Sequence, residues 1–193
     1  MGRGHGSGRG ASAKAGGFQG DATMKGYSAG LAKAMNAKES EIVRNTEFET
    51  FVAFNDSGEV KFTKTGTKTS VNNMAEGDVR DRFVTHNHPS NASLSKSDIE
   101  TAVIGNAKEM RARTPNYSYS MKRPEKGWPS ERKAKGVYSD AERSITTWNQ
   151  QYIRNYKGDK NVAHRRALAV KNHRINKAFA ARLGIDYIKL RVN

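Results

Sequence analysis

His86-Asn87-His88-Pro89-Ser90, followed by Ser95 and Asp98, puts two imidazoles and a carboxylate within thirteen residues. Zinc accepts all three side chains as ligands, and a set of three leaves a fourth coordination position open, the arrangement of a catalytic rather than a structural ion. The chain contains no cysteine, so thiolate ligation and disulfides are both excluded.

Such a site needs particular elements to build it. Arg82-Phe83-Val84-Thr85 reads as a strand running into the histidines. Residues two apart on a strand share a face, so His86 and His88 converge while Asn87 points away. Pro89 ends the strand, and Ser90-Asn91 turns the chain, Asn being tolerant of left-handed backbone. Ser95-Lys96-Ser97-Asp98 reads as a helix start. Asp98 returns on its first turn as third ligand, and Ser95 lies near the N-cap with its hydroxyl toward the site. The plainer alternative is a pair of loop histidines beside a helix that Ser95 merely caps. Upstream, Glu47-Phe48-Glu49-Thr50-Phe51-Val52-Ala53-Phe54 is a β-rich run ending in the turn Asn55-Asp56-Ser57-Gly58. Alternation puts Glu47, Glu49 and Phe51 on one face, either aimed at the histidines or lining the solvent side of an edge strand.

The His-x-His, short loop, Ser-x2-Asp pattern resembles the JAMM/MPN+ (JAB) zinc metalloproteases, and the His-Asn-His-Pro-Ser run is most like the RadC-type and bacteriophage branches. The likeness is strongest from Glu39 to Met121. The loop is one residue shorter than the usual family spacing, and Asn91 stands where RadC-type members usually carry Gly. Farther on, Tyr117-Ser118-Tyr119-Ser120-Met121, Gly127-Trp128-Pro129 and Leu183-Gly184-Ile185-Asp186-Tyr187 look like JAB-like domains attached to phage head-morphogenesis proteins. The resemblance implies Zn2+ held by His86, His88 and Asp98. It also implies an upstream glutamate as general base, for which Glu49 is chosen, with Glu47 in reserve and Glu41 third. Ser95 then donates to the oxyanion. The implied reaction is hydrolysis of an amide, peptide or isopeptide bond; the ligand set by itself permits other zinc-assisted hydrolyses equally well.

The implied fold is α/β (α+β), a JAB/MPN-like central mixed sheet flanked by helices, with a helical, basic C-terminal region. Residues 1–23 are Gly, Ser, Ala, Arg and Lys with almost nothing apolar and read as a flexible basic tail; residues 24–193 form the domain. Within it we expect a helix over 29–44 with Leu31, Met35 and Ile42 on one face. A hairpin of strands 48–54 and 59–64 follows, then a short helix within 71–78 and the strand 82–86. Next come a helix from Ser97 to Arg111 with Ile99, Val103 and Ala107 inward, and a strand over 116–122. Helix over 139–183, interrupted near Gly158-Asp159, and a last strand at 187–192 complete the chain.

Formal net charge is +15. From Lys108 onward basic residues outnumber acidic ones roughly three to one, with Arg165, Arg166, Lys171, Arg174, Lys177 and Arg182 on one helical stretch. A protein or peptide substrate is therefore joined by a second expected partner, a nucleic acid or acidic surface met by this region and the tail. The competing explanation is a solvated, solubilising face. Tyr117, Tyr119, Trp128, Tyr138 and Trp148 stand among these charges as candidate faces for stacking bases, with strand-face packing the alternative for Tyr117 and Tyr119. Trp128 reads either as a loop anchor or as packing, and His164 and His173 as surface or phosphate-facing positions. No apolar run approaches a membrane span and no signal-peptide core is visible, so a soluble protein is expected, in the host cytoplasm or associated with a virion. The rival to a hydrolase is a basic virion or nucleic-acid-binding protein using the JAB-like fold as a structural module.

Overall fold

The computed structural model describes residues 22–71 and 74–192; the expected tail lies, but for its last two residues, outside them. A 3-10 turn at Ala22–Met24 leads to helix α1 (Ala29–Ile42). Ser28 caps α1, its hydroxyl accepting from Leu31 N at 3.2 Å, and Leu31, Met35 and Ile42 fall on the buried face as their spacing requires. Strands β1 (Thr50–Phe54) and β2 (Val60–Thr65) make the expected hairpin. Its turn is tied by Asn55 Oδ1, which accepts from the N–H groups of Ser57 and Glu59. Gly58 there has φ +89°, and a Cβ on it would meet the Gly30 carbonyl oxygen at 2.7 Å, so the turn sits directly on the start of α1.

A four-residue helix α2 (Glu76–Val79) precedes β3 (Phe83–Asn87), the strand that carries the histidines. Helix α3 (Lys96–Ile104) then joins β3 to β4 (Glu109–Arg113). β5 (Tyr117–Lys122), α4 (Glu131–Asn155), α5 (Lys160–Leu183) and β6 (Tyr187–Arg191) complete the chain. The strands form one mixed sheet in the order β2-β1-β3-β4-β5-β6. Every pairing is antiparallel except β3 with β4, the pair that α3 connects; parallel neighbours need such a crossover. The mixed α/β class expected from the sequence is the observed one. No helix among the described residues is long and apolar enough to cross a membrane.

Strand alternation gives the sheet two unlike faces. Phe51, Ala53, Val84, Met110, Ala112, Tyr119 and Met121 pack with α3, α4 and α5 in the main core. Val52 and Phe54 face Leu31, Ala32 and Met35 of α1 in a smaller one. Beside the smaller core lies a buried charged network. Arg111, fully enclosed, donates from Nε to Glu39 Oε1 at 2.7 Å and from Nη1 to Thr23 Oγ1 at 2.6 Å and Glu109 Oε1 at 3.1 Å. Ser120 and Tyr27 hydroxyls also donate to Glu109, and Thr85 donates to Glu39 at 2.8 Å. Burial comes first in pushing the Tyr27 phenol above its ordinary range, with the Glu109 charge adding to it.

Three expectations need correction. The helix expected to reach Arg111 stops at Ile104: Gly105 caps it, Asn106 takes φ 53°, and the chain turns into β4. Glu109 and Arg111 are therefore strand residues on one face rather than points on a helix. The helix expected from Ser139 begins at Glu131, because Ser130 accepts from Lys133 N just after Pro129 has ended the loop. His173, expected at the surface, is half-buried and bonds through Nδ1 to the Tyr187 hydroxyl at 2.9 Å. The interruption at Gly158-Asp159 falls where expected, Asp159 capping α5, and Trp128 anchors its loop by donating to Ala107 O at 2.7 Å.

Candidate metal centre

The histidines stand at the carboxyl end of β3, where the β3–α3–β4 crossover begins, the end at which open α/β sheets place their ligands. His86 is the penultimate residue of β3, and its ring stacks on Phe51 across the β1–β3 pair, centroids 5.9 Å apart. His88 lies just beyond the strand but still pairs with β4, its N–H donating to Arg113 O at 2.9 Å. Asn91 adopts the left-handed turn expected of it, φ 58°, and returns its N–H to His88 O. Ser95 caps α3. Its hydroxyl accepts from Asp98 N at 3.2 Å while its own N–H donates to Asp98 Oδ2 at 2.6 Å, a reciprocal capping box that fixes the Asp98 carboxylate.

These elements bring one ligand atom each from His86, His88 and Asp98 within 4.8 Å of one another. Nε2 of His86 and Nε2 of His88 are 2.8 Å apart, and each lies 3.4 Å from an Asp98 oxygen. Ligand atoms around a tetrahedral zinc are separated by about 3.3 Å, given bonds of about 2.0 Å. The donor set therefore fits that ion in both chemistry and span. His88 Nδ1 lies 3.0 Å from the Ala92 carbonyl; a carbonyl only accepts, so Nδ1 carries a proton and Nε2 is the nitrogen turned to the cluster. His86 Nδ1 is buried and finds no hydrogen-bond partner among the described residues, while its ring lies stacked on Phe51.

Electrostatics favour positive charge at the same point. Burial opposes ionisation of Asp98, but the two imidazoles outweigh it and hold its carboxyl well below the usual range. Burial likewise pushes His88 down, but Asp98 and Glu49 prevail and raise it to about 9. Glu49, immediately before β1, is almost fully buried and places Oε1 3.8 Å from His88 Nε2. Its carboxyl is raised, first by burial and then by the Asp98 charge, against the pull of the histidines. Glu47 is exposed and bonded to its neighbour Thr46, and Glu41 pairs with Lys38 on the surface of α1; neither joins the cluster. Ser95 lines the cleft with Glu49, His86 and Asp98, its hydroxyl 2.8 Å from that of Ser97.

Asn87 was set aside in the sequence because it points away from the histidines. It does point away, yet it holds Glu49 in place. Its Oδ1 accepts from Thr50 N at 2.7 Å, and its Nδ2 donates to Asn45 O and Phe48 O, both at 3.0 Å. The only signal in the sequence was an amide between two histidines. On the far side of the loop, Asn176 of α5 donates to Leu94 O at 2.8 Å, and Ser93 meets the Tyr187 hydroxyl at 2.7 Å. The chain matches no family model, and neither a curated protein nor a solved structure is found similar to it.

Proposed function

We propose that this protein is a zinc-dependent hydrolase of an amide, peptide or isopeptide bond. The observation that carries the reading is the convergence of His86, His88 and Asp98 on one point, with the buried Glu49 carboxylate 3.8 Å from it at His88 Nε2. His86, His88 and Asp98 would hold the ion, which when bound supplies a Lewis acid and makes water acidic enough to ionise near neutral pH.

The chain's own groups do the rest. Glu49 accepts the proton of the attacking water and returns it to the leaving nitrogen; burial, by raising its carboxyl, makes it a stronger base than an exposed glutamate. Ala92 O holds one His88 proton on Nδ1, so Nε2 is the nitrogen that would take the ion in exchange for its own proton. When Ser97 donates to Ser95, the Ser95 hydrogen is left to bond the oxygen of the carbonyl under attack. Family resemblance supplies the amide bond as substrate class, as it does the zinc.

Metal analysis of untagged protein tests the reading first. About one zinc per chain in the wild type and none in His88→Ala is expected; no zinc in either after reconstitution overturns it. With zinc bound, Glu49→Gln should retain the metal and lose hydrolysis of a peptide library by ~10² to 10⁴, the range for removing a general base.

A further inference from the structure

The antiparallel hairpin of α4 and α5 carries a feature that hydrolysis does not use. Trp148 and Tyr152 of α4 and Tyr156, the residue that follows its last turn, recur at every fourth position and form one row. Trp148 and Tyr152 are stacked, centroids 5.4 Å apart and planes within 6°; Tyr156 continues the row at 5.7 Å. Arginines from α5 interleave with it. The Arg174 guanidinium lies 3.7 Å from the Trp148 ring centre, and Arg166 donates to the Tyr156 hydroxyl at 3.0 Å.

The row does not end with the helix. His173, next to Arg174 on α5, packs its ring against Tyr119 and Tyr187, centres 6.1 and 5.6 Å away; burial first, then the charges of Lys189, Lys177 and Arg174, lower it to about 4. Lys189 in turn stands 4.0 Å over Tyr117 and 5.8 Å over Tyr119. A band of rings and cations therefore runs from the hairpin tip to β5 and β6. It reaches Tyr187, which bonds Ser93 in the loop of the metal centre.

Burial between the two helices does not account for this composition. The residues buried along this part of the hairpin are Asn149, Ala163 and Ala167, whereas Trp148 remains 42% exposed. From Trp148 through Arg174 itself the chain has seven Lys or Arg and one acid, Asp159, which caps α5. A solubilising face would not place tryptophan and tyrosines among its charges. Rings along a basic track suit a ligand that is both polyanionic and planar in its side groups. A single strand offers unpaired bases beside its phosphates, whereas a duplex hides its base faces.

We propose that this band is a binding surface for single-stranded nucleic acid. Phosphates lie along Arg166, Arg174, Lys177 and Lys189, and bases pack against the rings beginning at Trp148. This surface stands independently of the metal reading.

The test is titration of the full-length protein with fluorescein-labelled oligo(dT) of twenty nucleotides, read by anisotropy and by tryptophan emission. Wild type should bind, with emission quenched. Trp148→Phe, which keeps a ring for folding, should bind with most of the quench gone. The double variant Lys177→Glu/Lys189→Glu should bind at least tenfold more weakly, with a salt dependence shallower by about one to two units. Three results overturn the proposal: no binding by wild type, charge-reversed protein that binds as tightly as wild type, which assigns the affinity to other basic segments, and polyglutamate or a duplex competing as well as oligo(dT), which marks a surface for acidic proteins or bare charge.

Discussion

At the residue scale the two histidines are not equivalent. His88 has its proton pinned to Nδ1 by Ala92 O, and Asp98 and Glu49 raise it to about 9 against the effect of burial. That sign has a consequence for metal uptake. Below pH 9 the imidazole of the folded chain carries a second proton, on Nε2, and a cation must displace that one. Zinc binding at pH 7 should therefore release about one proton from this group, and affinity should fall by up to tenfold for each unit of acidification. Calorimetry in two buffers of different ionisation enthalpy measures it; zero release would show that His88 is already neutral. In the apo protein the raised group favours the folded state below its ordinary value of 6.5, and this contribution is lost as pH rises through about 9.

His173 carries the opposite sign. Its folded value of about 4 lies below the ordinary one, through burial and then the neighbouring cations. Between pH 6.5 and 4 the unfolded chain takes up a proton that the folded chain refuses, so stability falls across that window. His173→Gln should lessen the fall in urea midpoint between pH 7 and 4.5.

At the scale of elements, the sequence was legible wherever a local rule set the answer. Strand alternation and the Ser-x2-Asp capping signal place His86, His88 and Asp98, and Asn91 takes the left-handed turn that its side chain tolerates. Glu49 is reached by alternation plus family resemblance. Residues 105–111 were misread because Ile99, Val103 and Ala107, at spacing four, do all lie inward, although only the first two are on α3. Gly105 and Asn106 stop the helix between them. Gly105 is also a close approach: a Cβ there would meet Val79 Cγ2 at 2.0 Å. Gly105→Ala should push α2 from α3 and cost about 1–3 kcal/mol in denaturant unfolding. Asn87 was illegible for another reason, since its three partners are backbone groups about forty residues earlier. Asn87→Leu should cost roughly 1–3 kcal/mol by leaving them unpaired. It should also slow hydrolysis through displacement of Glu49, with zinc content unchanged.

At the scale of the whole molecule, the sheet divides two kinds of polar chemistry. One face presents the metal centre to a cleft; the other encloses Arg111 between Glu39 and Glu109 under α1. Nothing local announces that network, because Arg111 and Glu39 are separated by 72 residues. In hindsight Glu109-x-Arg111 and Ser118-x-Ser120, polar at alternate positions of neighbouring strands, were its trace. Arg111→Leu leaves two buried carboxylates uncompensated and should cost about 3–5 kcal/mol, measured as a shift in urea midpoint. Its effect should spread to the cleft, since Thr85, which bonds Glu39, adjoins His86 on β3.

Asp98 serves α3 and the cluster at once: one of its oxygens receives the Ser95 N–H that starts the helix, while both face the imidazoles. An ion gripped by this carboxylate is therefore also a brace on the first turn of the β3–β4 crossover. Binding to the folded chain alone stabilises it by about 2.7 kcal/mol at a hundredfold excess over Kd. Zinc supply in the surrounding solution would then set how rarely this crossover opens to a protease, and so how long each copy of the protein lasts.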